Sequence, residues 1–220
     1  MKSFIIQVAA LAALLAGTQA LQSQQPATIE AGFTNPKLVP PHWQIKLNED
    51  GSGQFDADGG SPAPGDNNFI LAGPVHRPIQ LSPIFTQNIF NIARQHKLFA
   101  INCESHMKVA YQGTKRLSYA GPEGQGTCEF NYSKDKQIQQ LGDSLLALET
   151  TLITGARLEK ILQHDRLGLD HELETLVVQA KENNAIELNT IRDILNRIAE
   201  DDQVMDRARK KARQLLIPTP

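Results

Sequence analysis

The spacing of apolar residues changes its period near residue 133, and this change constrains the fold more than any other feature of the sequence. Before it, short segments alternate apolar and polar side chains, as half-buried strands do. After it, apolar residues recur every three or four positions, which is typical of amphipathic helices. Charged residues occupy 28 of the 87 positions from Lys134 onward, and proline is absent there until Pro218. The pattern predicts an α+β protein with a sheet region followed by a helical region.

Residues 42–132 are predicted to form a small, mostly antiparallel sheet with one crossing helix. The alternation of Trp43, Ile45 and Leu47 with polar neighbours indicates a strand, and 50–53 has the composition of a turn. Ser82 can cap a helix whose first position is Pro83. The remaining strands are expected at 54–57, 75–81, 107–111, 117–119 and 128–132.

Residues 133–217 are predicted to form a helical hairpin or bundle. Ser133 is the expected N-cap of the first helix, which Gly155 could bend. Gly168 is expected to break the chain before a second helix capped by Asp170. Two further helices are expected after 183–184 and after 201–202. Because the connections are short, neighbouring helices should run antiparallel.

The N-terminal twenty residues have the pattern of a cleavable signal peptide. Lys2 precedes an apolar run over 4–16, and Thr18 and Ala20 supply small residues at the cleavage site. The run is too short for a stable membrane span, and no later segment reaches the roughly twenty apolar residues that a span needs. Residues 21–41 are predicted to be a disordered tether, since Gln, Pro and Thr dominate there. The mature protein is therefore expected to be secreted or periplasmic. The short signal with a single lysine favours a bacterium, and eukaryotic secretion is the alternative.

The two cysteines of the chain, Cys103 and Cys128, are predicted to form a disulfide. An exported protein matures where thiols oxidise, so an even number of cysteines favours pairing. Two free thiols and a metal site are the alternatives. The metal site is weakly supported because the cysteines are 25 positions apart and no close pair of further ligands accompanies them. The disulfide would connect the residue before the three strands expected at 107–111, 117–119 and 128–132 to the last of these strands.

The charge of the chain excludes some classes of partner. Without Lys2 the chain carries 21 basic and 24 acidic side chains, a net charge of −3. This balance gives no general attraction to nucleic acid or to anionic membranes. The sequence also contains no phosphate-binding loop, dinucleotide fingerprint, zinc-protease helix or serine-hydrolase elbow. No nucleic-acid partner and no cofactor are therefore expected.

One group of residues could hold a metal ion or transfer a proton. Two histidines and three carboxylates lie within nine positions from His164 to Glu172, and such groups bind divalent cations. The opposing interpretation is a turn between helices, because Gly168 separates the two histidines. The candidate ligands are His164, Asp165, Asp170 and His171.

Three other segments have a functional and a structural interpretation. The oxygen-rich stretch 48–59 suggests calcium but lacks the EF-hand order, so a hairpin turn is favoured. The basic stretch 207–213 could bind phosphate, but basic side chains are also typical of the last turns of a helix. Cys103 and His106 could form a nucleophilic pair, which the expected disulfide excludes. Tyr111, Tyr119 and Tyr132 could form a binding face or belong to the core.

These observations favour a non-enzymatic exported protein over an enzyme, with no catalytic residue assigned. We expect it to bind a protein partner or to form a homo-oligomer through its amphipathic helices. The alternative is an exported hydrolase, possibly metal-dependent, that uses the cluster from His164 to Glu172. A periplasmic inhibitor or chaperone-like module would also suit the size and the disulfide.

Overall fold

The computed structural model describes residues 26–60 and 73–217. The predicted signal peptide lies outside these residues. The fold is α+β, as predicted, with one six-stranded antiparallel sheet in the order β4-β3-β2-β1-β5-β6. The strands are β1 (Thr28–Thr34), β2 (His42–Asn48), β3 (Ser52–Ala57), β4 (Val75–Gln80), β5 (Thr114–Gly121) and β6 (Gly124–Phe130).

Five α-helices accompany the sheet in the described part of the chain. One lies between β4 and β5, and the other four follow the sheet and form a C-terminal helical region. Two short 3-10 turns, Lys97–Phe99 and Leu188–Ile191, interrupt the connections. The helices are α1 (Pro83–Gln95), α2 (Lys136–His164), α3 (Leu169–Lys181), α4 (Arg192–Glu200) and α5 (Asp206–Leu216).

The prediction of a disordered tether over 21–41 is wrong for β1. This strand lies inside the sheet, where Ala31 is opposite Ile45 of β2 and Leu117 of β5. Ile29, Ala31 and Phe33 are all buried, and their neighbours face the open side of the sheet. The alternation is short and contains Ala and Gly, so its stability comes from the strands on both sides rather than from local preference.

The strand predicted at 107–111 is also wrong. Residues 101–113 contain no strand, and Met107, Val109 and Tyr111 are exposed. The reason is that β5 already pairs with β1 on one side and with β6 on the other. No position beside β5 is left for a further strand. The hairpin of β2 and β3, the strand β4 and the strands β5 and β6 agree with the prediction.

Helix α1 begins as predicted. The Ser82 side-chain oxygen accepts a hydrogen bond from the backbone N–H of Phe85 at 3.2 Å, and Pro83 is the first helical residue. The buried side of α1 packs on the inner face of the sheet. Phe90 on this side meets Tyr119 of β5 edge to face, with ring centroids 6.3 Å apart.

Helix α2 is a single helix of 29 residues that belongs to two hydrophobic cores. Asp135, rather than the predicted Ser133, caps it by accepting from the N–H groups of Gln137 and Ile138. Gly155 does not interrupt it, and a Cβ at this position would overlap Ile191. Residues 138–153 of α2 pack on the sheet, and residues 158–162 pack among α3, α4 and α5.

The helical region follows the predicted order with different caps. Gly168 separates α2 from α3, as expected. Asp170 lies in the first turn of α3 and does not cap it. The fourth predicted helix begins at Asp206, after Met205, and neither Asp201 nor Asp202 caps it. The apolar sides of α3, α4 and α5 meet one another and the end of α2, which closes the second core.

Candidate functional site

The four residues predicted as metal ligands lie around the turn between α2 and α3. His164 is the last residue of α2, and His171 is exposed on α3. Asp165 accepts from the backbone N–H of Gly168, and Asp170 accepts from Lys211 Nζ at 2.9 Å. Arg207 Nε is also 2.9 Å from Asp170. Among the described residues, no three His, Cys, Asp or Glu side chains are placed to hold a metal ion.

The segment 48–59 contains the β2–β3 turn and β3, and its carboxylates have partners within the protein. Asp50 Oδ1 accepts from the backbone N–H of Ser52 at 2.9 Å and from Ser52 Oγ at 2.6 Å. These hydrogen bonds hold the pKa of Asp50 below its usual value, the bond from the Ser52 hydroxyl having the larger effect. The turn accounts for the composition that suggested calcium.

The basic stretch 207–213 is held by ion pairs inside the helical region. Lys211 lies between Asp170 and Glu174, which raise its pKa above the usual value through hydrogen bonds. Lys210 pairs with Asp206 one turn earlier in α5. Arg213 donates to the backbone oxygen of Ala199 at 2.8 Å. This stretch therefore joins α5 to α3 and α4.

The sulfur atoms of Cys103 and Cys128 lie 2.03 Å apart, as the sequence predicted for a disulfide. Cys103 is therefore not paired with His106 for nucleophilic chemistry. Of the three tyrosines, Tyr119 is in the core and its hydroxyl donates to Glu123. Burial, with this hydrogen bond as the second cause, raises the pKa of Tyr119 to about 12. Tyr111 and Tyr132 are exposed, so the three do not form one face.

A large concavity lies between α1 and α2, and the sequence did not point to it. It is a cleft of about 1260 Å³. Each helix contributes side chains spaced by three or four positions, and the connection between α3 and α4 contributes a third wall. We call this concavity the α1–α2 cleft. Its three walls include Phe85, Asn88, Gln140, Ser144, Asn184 and Ile186.

Hydrogen bonds fix both ends of the α1–α2 cleft. At one end His96, which ends α1, lies 2.9 Å from the Gln137 side-chain oxygen. At the other end both carboxylate oxygens of Glu187 accept from Ser82, one from its N–H at 2.6 Å and one from its hydroxyl at 2.7 Å. Thr151 of α2 donates to the backbone oxygen of Ile186 at 2.7 Å. The separation of the two helices is therefore set by contacts at each end.

The lining of the α1–α2 cleft is apolar at its base and amide-rich at its rim. Five side-chain amides line it, and each amide can both donate and accept a hydrogen bond. Asp143 and Glu187 are the ionisable residues of the lining, which includes no His, Cys, Lys or Arg among the described residues. Glu187 is already bonded to Ser82. The arrangement can bind an uncharged polar chain through these amides.

A scan of protein-family models and a search of curated proteins found no match to this chain. The assignment of a function therefore depends on the geometry of the chain itself.

Two further features of the structure lie at the cleft. Ile84 is apolar, yet it lies in the first turn of α1 where 83% of its side chain is exposed at the cleft. Asn183 and Glu187 adopt left-handed backbone angles, with φ of 60° and 54°, and turn the chain toward α1. No helix in the described ranges is long and apolar enough to cross a membrane.

Proposed function

We propose that this chain is an exported, non-enzymatic binding protein, and that the α1–α2 cleft holds a segment of another polypeptide. The observation that carries the proposal is the cleft itself, with an apolar base, a rim of neutral amides and both ends fixed. Binding sites in proteins usually combine a concave apolar surface with a few polar groups that orient the ligand. The cleft has this composition.

A polypeptide suits the α1–α2 cleft better than a small charged metabolite does. Helix α1 has 13 residues and so spans about 20 Å, the length of roughly six extended residues. Rim amides such as Asn88, Gln140 and Asn184 can bond the N–H and C=O groups of a peptide backbone. No Lys, Arg or His lines the described cleft, so it lacks the side-chain cation that would favour a phosphate or a free carboxylate.

Export is part of the proposal and has separate support. The N-terminal pattern is typical of a signal peptide. The pair of Cys103 and Cys128 at disulfide distance suits a compartment where thiols oxidise. N-terminal sequencing of the native protein tests this part: we expect a start near residue 21, and a start at Met1 would contradict it.

Neither other candidate function gains support from the described residues. Asp170 of the suggested hydrolase cluster is bonded to Lys211 and Arg207. Self-assembly through the helices would need exposed apolar helix faces, but the apolar sides of α3, α4 and α5 are largely buried in the second core. The α1–α2 cleft therefore remains the best supported site.

Two tryptophan variants of α2 test the proposed site. Random peptides of about eight residues, displayed on phage, would first be selected on the wild-type protein. Gln140→Trp fills the cleft, whereas Gln163→Trp places the same side chain on an exposed position of the same helix outside it. We expect Gln140→Trp to weaken binding of the selected peptides by roughly tenfold or more, and Gln163→Trp to leave it within twofold. Equal affinities for the two variants, measured by calorimetry, would reject the cleft as the site.

A further inference from the structure

Six exposed large apolar side chains lie at one end of the sheet, where β1 and β6 end and where β2 and β5 begin. One of them, Val39, lines a small cavity with residues of α2, and the other five form a separate group. The exposed fractions lie between 38% for Tyr132 and 61% for Tyr111. Such side chains are normally scattered over a protein surface, and a group of them marks a site of interaction. We name this group the sheet-end surface, and it consists of Leu38, Met107, Val109, Tyr111 and Tyr132.

Hydrogen bonds join the three segments that carry the sheet-end surface. Asn35, in the turn that contains Leu38, donates from its side chain to the backbone oxygen of Gln112 at 2.8 Å. The Asn131 side chain donates to the backbone oxygen of Ala110 at 3.1 Å. The N–H of Ser105 donates to the backbone oxygen of Tyr132 at 2.9 Å. These bonds hold the apolar side chains outward, on a fixed backbone.

The disulfide anchors the same surface. Cys128 lies in β6, and Cys103 begins the segment that carries Met107, Val109 and Tyr111. Glu104, the next residue, accepts from the N–H of Asn131 at 2.7 Å, and this bond is the main reason that its pKa lies below the usual value. The start of the segment is therefore attached to β6 and to the residue that follows it.

Three lysines surround the sheet-end surface, one in each segment. Lys37 precedes Leu38, Lys108 lies between Met107 and Val109, and Lys134 follows Tyr132 by two positions. All three are exposed, and none forms an ion pair with another described residue.

The acidic groups near these lysines have other partners. Glu104 accepts from Asn131, and Glu129 pairs with Arg116. Asp135 caps α2 and lies 3.3 Å from His96. The three lysines therefore have no acidic partner among the described residues, although the whole chain has a formal charge of −2.

We propose that the sheet-end surface docks on the surface of an anionic lipid bilayer. Side chains such as Met107, Val109 and Tyr111 enter the boundary between headgroups and acyl chains, where tyrosine is favoured. Lysines around them meet lipid phosphates, each adding to the attraction near an anionic surface. A protein partner is the competing occupant. Lysine is depleted in protein interfaces, so a rim of three unpaired lysines favours the bilayer.

Co-sedimentation with lipid vesicles tests the proposal. The probes are vesicles of phosphatidylcholine alone and vesicles of phosphatidylcholine with phosphatidylglycerol, at low ionic strength. We expect binding to the anionic vesicles and little to the neutral ones. Replacing Met107, Val109 and Tyr111 by Ser should reduce binding to the anionic vesicles roughly tenfold or more. The matched control is Leu167→Ser, since Leu167 is 74% exposed in the turn before α3, and its binding should equal that of wild type.

A charge variant keeps the proposal testable if the serine variant fails to fold. Replacing Lys37, Lys108 and Lys134 by Gln leaves the apolar side chains in place and should weaken vesicle binding by roughly fivefold for each lysine. Absence of binding to the anionic vesicles, or equal binding to neutral vesicles, would overturn the proposal. So would a homodimer in sedimentation velocity that dissociates in the serine variant, because the surface would then bind a second copy.

Discussion

The two hydrophobic cores of this protein are built and used differently. The core under the sheet contains seven aromatic side chains, whereas the core of the helical region contains only aliphatic ones. The sheet core is bounded by a disulfide and by connections that leave apolar side chains exposed. The helical core is bounded by ion pairs such as that of Arg157 with Glu172. Helix α2 is the element that both cores share.

The difference indicates a division of roles. Both proposed interaction sites, the α1–α2 cleft and the sheet-end surface, are carried mainly by the sheet half. The helical half uses its apolar faces internally and reaches the cleft through Ile186 and Glu187. We infer that the helical half braces α2 and closes one end of the cleft.

Removal of the disulfide should have the largest effect on the sheet half. Replacing Cys103 and Cys128 by Ser frees a loop with a sequence separation of 25 residues. In the chain-entropy model the free energy of unfolding should fall by about 3 to 4 kcal/mol. Denaturant unfolding measures this loss, and hydrogen exchange measures where it acts. Exchange should accelerate most over 101–113, and equal acceleration in α4 and α5 would contradict the division into halves.

The substitution Gly155→Ala tests how closely α2 approaches the helical half. Alanine is normally favoured over glycine inside a helix by about 1 kcal/mol. Here the added Cβ would overlap Ile191, whose side chain is fully buried, so we expect a net loss of about 1 to 3 kcal/mol.

The control for this change is Gly142→Ala in the same helix. Its Cβ would lie 2.7 Å from Lys115 Cδ and 3.0 Å from the ring of Phe130 on the sheet side. Because this overlap is less severe than that between the Gly155 Cβ and Ile191 Cγ2, the loss there should be smaller. An increase in thermal stability for Gly155→Ala would show that α2 does not approach Ile191 closely enough to exclude a methyl group.

Arg77 of β4 connects the two halves by ion pairs. Its guanidinium lies 2.7 Å from Glu159 Oε1 of α2 and 2.6 Å from Asp193 Oδ1 of α4. Because the Arg77 side chain is 13% exposed, Arg77→Ala should lower the free energy of unfolding by about 1 to 2 kcal/mol, less at high salt. Arg116→Ala, which removes an exposed pair with Glu129, is the control and should change it by less than about 0.5 kcal/mol. Similar losses for both variants would argue against a connecting role for Arg77.

Glu149 should give an effect that depends on pH. Burial raises the pKa of this α2 carboxyl to about 7 from an ordinary value of 4.5. When the pKa of a carboxyl is higher in the folded state than in the unfolded state, the protein becomes less stable as pH rises from the unfolded-state pKa to the folded-state pKa. Glu149→Gln should therefore stabilise the protein at pH 8 and change little at pH 4. Melting curves at both pH values test this, and equal shifts would exclude burial as the cause.

The elements that the sequence predicted are those whose burial pattern is local. Trp43, Ile45 and Leu47 alternate because one face of β2 is buried, and the stripe of α2 repeats because one side of it is buried. The pattern at Met107, Val109 and Tyr111 is the same, yet these side chains are exposed. Alternation cannot distinguish side chains that a sheet buries from side chains that a loop displays.

The candidate site was less predictable because it depends on distances between elements. Ser82 was identified as a cap, but its bonds to Glu187, 105 positions later, could not be read from spacing. Asn88 and Gln140 are ordinary polar residues on two separate helices. Only the folded chain brings them to the same cleft.

A nuclear magnetic resonance titration tests most directly whether the α1–α2 cleft is the binding site. A peptide selected on the wild-type protein would be added to the labelled protein, with its disulfide intact. We predict that the largest chemical-shift changes occur at Asn88, Gln140 and Ile186, while the exposed face of α5 does not respond. Changes concentrated on α5 or on the open face of the sheet, with no response in the cleft, would contradict the account.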